Sequence, residues 1–519
     1  MSKLHYRPLA VAVSLCVGLL SSATVAAQDT PRVATDLDRV EVTGSRIKRA
    51  EVEGHLPIQT LTRTEIERTG LTSIGEVLQQ LTGSGSALNA KFNSSGNFGF
   101  PPDGSGVGAG SAQVDLRHLG AKRVLVLVDG IRWVNESSAS GVGSATDLNT
   151  IPLAIVERIE VLEDGASSLY GSDAIAGVVN IITRRDFDGG QVTLNYGEYG
   201  KGDGTQKGVD LAWGTQGDRY SLFLGASYTK QDPVYANTRE QSRLPKPGTG
   251  LSFGSGSIPQ GRFQFVDPNT GAVQDLVPNV GSGTPTYDGS AGCSRTDDYH
   301  CFTSADRFNY AQYNLLMTPS ERKGVFGQFR FDITDDVQWY VKALGNRRES
   351  TNQAGPEPLF FGPDGATGNP LADNITVSAL NPYNPFGFDL VSAGNLQFIG
   401  RRPTEGGARV FEQEVNTSYV ATGLVGNFEA AERSWFWDVN GMYSRNKAEQ
   451  TNQGSYNIYN VNLALGDPAL CAATPGCVPL DIFSGEGSIT PAMLQWIQPV
   501  VRDRSQNELS LFTANLSSE

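Results

Sequence analysis

Charge is scarce in this 519-residue chain. Only 18% of residues are charged, and 41 Lys and Arg stand against 55 Asp and Glu, for a formal net charge of −14. Nothing forms a basic stripe able to neutralise phosphates along a nucleic acid, so that class of partner is excluded. Histidine is nearly absent, with four in all. His5 lies in the leader, His55 in a polar arm, and His118 in a turn. His300, beside Cys301, reads as a surface-loop histidine, with contact to metal or ligand as the alternative. No enzyme activity and no cofactor are expected. After the N-terminus no stretch has the length and hydrophobicity of a membrane helix. What is plentiful is glycine and aromatics, 60 Gly with 17 Tyr, 23 Phe and 6 Trp, a composition suited to many extended strands. A secreted, soluble β-rich protein fits the same composition.

The N-terminus reads as an export signal over residues 1–27. Lys3 and Arg7 precede the apolar run Leu9–Leu20, and Val25-Ala26-Ala27 forms a small-residue cleavage site. The run is short for a membrane anchor, and Cys16 sits inside it rather than at its end, which excludes lipidation. Four cysteines remain in an oxidising compartment. Their neighbouring pairs, Cys293 with Cys301 and Cys471 with Cys477, read as two local disulfides. Each contributes about 2.5 kcal/mol by chain entropy. A zinc site from all four requires two distant loops to converge and has no CxxC pair.

Residues 28–55 form a polar arm with one β-prone island, Val40-Glu41-Val42-Thr43, before Gly44, suited to adding a strand to another protein's sheet. Two short helices follow, with Thr62/Glu65 and Ser73/Glu76 as capping boxes. Residues 83–112 are a long Gly- and Ser-rich loop bearing Phe92, Asn97, Phe98 and Phe100. Val124–Val128 reads as a buried strand ended by Asp129-Gly130, and Val178–Ile182 as another. Together residues 56–188 describe a small mixed α/β domain.

Past Gly189 the pattern turns to period two. Strands are expected near 191–199, 206–215, 218–231, 321–333, 337–350, 411–428, 434–448 and 505–518. In each, apolar residues such as Val325, Phe329 and Phe331 alternate with polar ones such as Gln328, Arg330 and Asp332. That alternation suits a lipid-facing wall around a wet lumen, and short turns alternate with long connections as in a bacterial barrel. Residues 308–317 also look like a strand, but counting it as wall breaks the alternation, so it belongs to an outer loop. Phe360, Phe361, Tyr383, Phe386 and Phe388 read as packing the loops together, with stacking on a ligand as the alternative.

Leu116-Arg117-His118-Leu119-Gly120, Arg123–Gly130, Asp147–Pro152, Val156–Leu162 and Asp164–Thr183 closely resemble the plug domain of the TonB-dependent outer-membrane receptors. His118 departs from the family's usual glycine. In that pattern the matching positions are Arg117, Arg123, Asp129, Gly130, Arg158, Gly165, Gly171, Asp173, Gly177, Asn180 and Arg184. The Val40–Thr43 island is similar to the TonB box. The resemblance implies a plug followed by antiparallel transmembrane strands of a 22-stranded barrel, about eight of which lie in residues 189–519. A chain ending at Ser517-Ser518-Glu519 is then expected to be the N-terminal part of a longer protein. It also implies active import of a scarce nutrient into a Gram-negative bacterium, with the periplasmic domain of TonB, outer-membrane lipid, the barrel assembly machinery and an extracellular nutrient as partners. The VTGSRI-type arm and Asp481–Thr490 resemble large receptors of unassigned, often carbohydrate or peptide, substrate, which slightly favours those cargoes over iron–siderophore. Phe92, Asn97, Phe98 and Phe100 are expected at a ligand-facing plug apex. Arg117, Arg123, Arg158 and Arg184 are expected to pair with lumen carboxylates or to be solvated. An adhesin or structural barrel without energised transport is the alternative.

Overall fold

The computed structural model describes residues 58–85, 110–137, 145–185, 187–279, 285–289, 298–365, 367–392 and 394–518, all within the compact unit 40–519. The first region is a five-stranded sheet: β1 (Ile58–Thr62), β2 (Val124–Val128), β3 (Ile131–Arg132), β4 (Val156–Leu162) and β5 (Gly177–Thr183), in the order β1-β4-β5-β2-β3. β2 and β5 pair in parallel at its centre and are buried along their whole length. That explains their unbroken apolar runs, since parallel strands covered on both faces need no polar side. Asp129 and Gly130 both take positive φ, 49° and 78°, so the β2–β3 hairpin closes with a two-residue mirror-image turn.

Two helices flank the sheet, α1 (Arg63–Thr69) and α2 (Ile74–Leu78). Thr62 and Glu65 form a full capping box. At α2 only half of one forms: Ser73 accepts from the Glu76 N–H, while Glu76 reaches the N–H of Thr72 instead. Ile74, Val77, Leu78 and Leu81 are all buried, as their helical spacing requires. Arg117 and His118 keep positive φ, 56° and 57°, so the left-handed turn survives without glycine there, at a cost in backbone strain.

The second region is an eight-stranded antiparallel wall of β6 (Gly189–Gly197), β7 (Gln206–Gln216), β8 (Tyr220–Gln231), β9 (Ser320–Thr334), β10 (Val337–Ala354), β11 (Arg409–Ala430), β12 (Arg433–Gln453) and β13 (Val501–Ser518). Each strand pairs with its sequence neighbour, and the sheet is open between β6 and β13. One face is apolar and exposed on strand after strand: Val192, Leu194, Leu211, Trp213, Val325, Ile333, Val420, Phe512 and Leu516. Consecutive strands that present such a band outward are what a lipid-facing wall requires. The other face is not uniformly polar. Phe223, Phe326, Tyr340, Leu344, Tyr419 and Met442 point inward and join the core of the first region. No helix among the described residues is long and apolar enough to cross a membrane.

The long connections at one end of the wall condense into a third body. Strands Arg262–Val266, Val273–Pro278 and Tyr299–Cys301 come from the connection after β8, and Leu359–Phe361 and Leu396–Arg401 from the one after β10. They form one sheet, joined by pairing of Arg262–Val266 with Leu396–Arg401. Three helices from the connection after β12 pack on it. Phe263, Phe265, Phe361, Phe386, Phe483 and Val461 are its core, so these aromatics pack the loops together. Residues 308–317 lie outside the wall: Tyr310–Tyr313 is a 3-10 turn and Leu315–Met317 pairs with Val234–Tyr235.

Candidate functional site: the seat between plug and wall

The small domain meets the inner face of the wall through buried charges. The β2–β3 turn presents Asp129, whose Oδ1 accepts from the Thr183 N–H (3.0 Å) and whose Oδ2 accepts from the Thr183 hydroxyl (2.6 Å). Lys342 of β10 donates to the same Oδ2, and Arg185 lies 3.3 Å from Oδ1. The side chains of Asp129 and Lys342 are only 2% and 5% exposed. Burial alone pushes the Asp129 carboxyl upward, but Lys342 and Arg185 outweigh it and hold the group well below the usual carboxylate range. Asn180 supports the turn from behind, its Oδ1 accepting from the Gly130 N–H at 3.0 Å.

A second cluster centres on Arg348 of β10, fully buried with both of its carboxylate partners. It donates to Glu136 (2.8 Å), Asp147 (2.9 Å), Gln413 (2.9 Å) and Ser350 (2.8 Å). Asp147 also accepts from the backbone N–H groups of Ala112 and Asn149, so contacts within the small domain help to hold it in place. Nearby, Arg322 of β9 donates to Asn149 (2.5 Å), and Asn446 of β12 accepts from the Ser137 N–H and hydroxyl. Gly110 permits a close approach: a Cβ there would lie 2.4 Å from that of Ser350. Aromatic contact completes the seat, with Trp133 stacked on Tyr419 at 4.7 Å between centroids and Phe187 edge-on to Phe223 at 6.0 Å.

The polarity of this interface is the reverse of the expected one. The small domain supplies the carboxylates Asp129, Glu136 and Asp147, and the wall supplies the cations Lys342 and Arg348. The domain's own arginines are occupied locally. Arg117 donates to the carbonyls of Ile175 and Ala176, and Arg123 to that of Leu119. Arg158 pairs with Glu160 in its own strand, and Arg184 meets no carboxylate of the wall, reaching it through the amide oxygen of Gln191 and over the Phe223 ring at 5.7 Å. Asp173 holds Arg132 at 2.5 Å. Gly171 has φ 88°, and Gly177 has φ 148° with no room for a Cβ, which would stand 2.4 Å from the Leu162 carbonyl. A Cβ on Gly165 would be in ordinary contact with the Ile175 carbonyl.

Val40–Thr43, Phe92, Asn97, Phe98, Phe100 and Cys293 lie outside the described residues. Cys471 and Cys477 are bonded to each other, and Cys301 is disulfide-bonded. His300 sits between Asn279 and Asp306, at 2.6 and 3.1 Å, which accounts for it as a loop-bracing residue. Arg348 and Glu136 went unremarked in the sequence, where Lys342 reads only as a polar residue of the inner face and Asp147 only as part of the plug motif. The available signal was a pair of cations on the lumen-facing parity of β10, where an unpaired charge would be expensive.

Residues 52–178 match the family described as the TonB-dependent Receptor Plug Domain. Among solved structures, the chain is similar to the ferric enterobactin receptor of Pseudomonas aeruginosa in complex with enterobactin, at 12% identity and TM-score 0.39, over 77% of this chain and 55% of that one. It is similar to the ferric citrate transporter FecA in its unliganded form, at 11% identity and TM-score 0.42, over 90% and 54%. It is also similar to the ferric-catecholate import receptor Fiu of E. coli, at 13% identity and TM-score 0.38, over 90% and 57%. The chain thus spans about half the length of the receptors it matches. Residues 52–178 thus belong to the plug-domain family of the TonB-dependent receptors.

Proposed function

We infer that this chain is the plug-bearing part of a receptor that imports a scarce nutrient across the outer membrane, driven by TonB pulling on Val40–Thr43. The observation that carries the reading is the seat. A plug that must yield to a pull and return needs contacts that define one position without excessive strength. Buried ion pairs suit that role, because desolvation offsets much of their attraction while their geometry permits one docking. The ligand is held by the condensed outer loops and the plug apex that Phe92, Asn97, Phe98 and Phe100 would form. Assembly into the membrane requires the barrel assembly machinery.

For cargo we slightly favour carbohydrate or peptide over iron–siderophore, on the resemblance of the arm and of Asp481–Thr490 to large receptors of unassigned, often carbohydrate or peptide, substrate. Ile482, Phe483 and Ile489 of that segment are buried in the loop core, so its part is to shape the loops. The iron-chelate cargoes of the solved receptors do not carry over at 11–13% identity. The test is growth of cells producing the full-length receptor on limiting oligosaccharides, peptides or ferric siderophores. Val42→Pro removes a backbone donor from the strand added to TonB and should abolish growth on the imported nutrient while leaving surface binding intact. Undiminished growth of that variant overturns the reading.

A further inference from the structure

The connections after β10 and β12 are short of cations. Residues 355–408 carry five carboxylates and residues 454–500 three, against two cations in all, Arg401 and Arg402. Both arginines are fully buried and engaged with the loops themselves. Arg401 donates to Glu405 and to the Gly485 carbonyl, and Arg402 to the carbonyls of Ser257 and Pro356. These two connections therefore expose carboxylates with no exposed cation of their own to neutralise them.

Where the two connections meet, a hollow of about 340 Å³ opens. One wall is the short hairpin around Thr376–Val377 and Leu390–Val391, which contributes Thr376, Ser378 and Asp389. The other is the corner between helices Ile458–Leu465 and Pro468–Ala473, which contributes Asn462, Asp467 and Leu470. Each carboxylate is held through one oxygen. Asp389 Oδ1 accepts from the Ala379 N–H at 2.6 Å, and Asp467 Oδ1 caps the second helix by accepting from the Ala469 N–H at 2.8 Å. Among the described residues neither has an ion pair, and no Lys, Arg or His lines the hollow. The last turn of helix Ile458–Leu465 adds its partial negative charge. Leu470 is 61% exposed at the rim. Tyr459, 64% exposed, stands one turn before Asn462 and Leu463 on the same helix face.

We propose that this hollow captures a primary ammonium group, with Asp389 and Asp467 as its carboxylate partners and Tyr459 and Leu470 against the carbon skeleton that bears it. An ammonium brings three donors and no acceptor, which suits two carboxylates, the Asn462 amide oxygen and the Thr376 hydroxyl. Its bonds to the carboxylates are charge-assisted and are the strong ones. An apolar stem behind a charged head fits the exposed leucine, and the tyrosine ring face adds attraction for the cation. A neutral polyol lacks that charge, and a phosphate or carboxylate ligand is repelled. Lysine side chains and aminosugars both carry the group. Its role as a first contact for amine-bearing cargo rests on the import reading, whereas the binding itself does not.

The test is calorimetric titration of the full-length receptor in neutral detergent with two probe pairs. One is an Nα-acetylated lysine trimer amide and its fully Nε-acetylated form; the other is a glucosamine trimer and its N-acetylated form. The wild type should bind at least one amine probe about tenfold or more tightly than its acetylated partner, a gap of about 1.4 kcal/mol. The pair that shows the gap identifies the source of the amine. Raising salt from about 0.05 M to about 0.5 M should narrow the gap, as screening requires. Asp389→Asn with Asp467→Asn keeps the acceptor for the Ala379 N–H and a competent helix cap, and should erase it. Asp364→Asn, an exposed carboxylate of the same loops outside the hollow, should leave it unchanged. No gap with either pair in the wild type, a gap that survives the double variant, or an equal loss in Asp364→Asn overturns the proposal. TonB and transport do not enter the measurement, so its failure leaves the import reading to its own test with Val42→Pro.

Discussion

Replacing Lys342 with methionine removes the wall's cation from Asp129 but keeps the bulk of the side chain. The Asp129 carboxylate is then buried with Thr183 still donating to it and Arg185, 42% exposed, as its remaining cation. Breaking one half of a buried pair typically costs about 3–5 kcal/mol, most of it the penalty of the charge left behind. At about 1.4 kcal/mol per decade, opening of the β2–β3 hairpin should rise by two to three and a half orders of magnitude. Arg185 would pull the result toward the lower figure. Asp129→Asn alone should do similar damage by stranding Lys342. The double variant Asp129→Asn, Lys342→Met buries no unpaired charge, and its loss should shrink to about one decade. Hydrogen exchange by mass spectrometry on the full-length receptor reads this directly, from peptides covering 124–132, with the loop helix 458–465 as internal control. Single variants that change exchange less than fivefold, or losses that simply add in the double variant, would refute the claim that this pair fixes the seat.

The same carboxylate sets a pH expectation. A depressed folded-state pKa gives stability that is present above the unfolded value and lost as pH falls through the folded one. After correction for intrinsic exchange, hairpin protection should therefore be flat from about pH 8 to about pH 5 and decline only below about pH 4. Trp133→Ala removes the stack on Tyr419 and should cost about 3–5 kcal/mol in plug seating, read as faster proteolysis of the plug, whereas Trp133→Phe should retain most of it. Gly177→Ala puts a methyl group 2.4 Å from the Leu162 carbonyl and should destabilise the plug sheet by about 3 kcal/mol or more, visible as lost protection in β4 and β5. Cys471→Ser with Cys477→Ser should loosen the helix Pro468–Ala473 by about 2.5 kcal/mol and leave exchange in β9–β12 unchanged.

The wall was legible because lipid on one side keeps Val325, Phe331 and Ile333 apolar at period two. Each expected strand has a counterpart within a few residues at most points, though β11 and β12 run longer than expected. Phe223 breaks the polar pattern of the inner face because it packs on Phe187 and Phe326 beneath the plug, a contact that exists only in three dimensions. The β2–β3 turn announced itself through Asp129-Gly130. The equally tight turn at Ala431-Glu432, with φ of 53° and 61°, shows in the sequence only as the short gap at 429–433 between two strands, because neither residue is typical of that backbone. The seat was half legible. Buried ion pairing was foreseeable from charges in a confined lumen. Its direction was not, because whether an arginine faces the wall or its own backbone depends on turn geometry that period and composition do not encode.

Coupling to TonB through residues 40–43 is the claim on which the importer reading stands. A peptide spanning residues 28–55, titrated with the purified periplasmic domain of TonB, tests it without knowledge of the cargo. The account predicts saturable binding that the Val42→Pro peptide loses by at least about tenfold, because a proline interrupts the added strand. No binding by the native peptide, or equal binding by the proline variant, would contradict it.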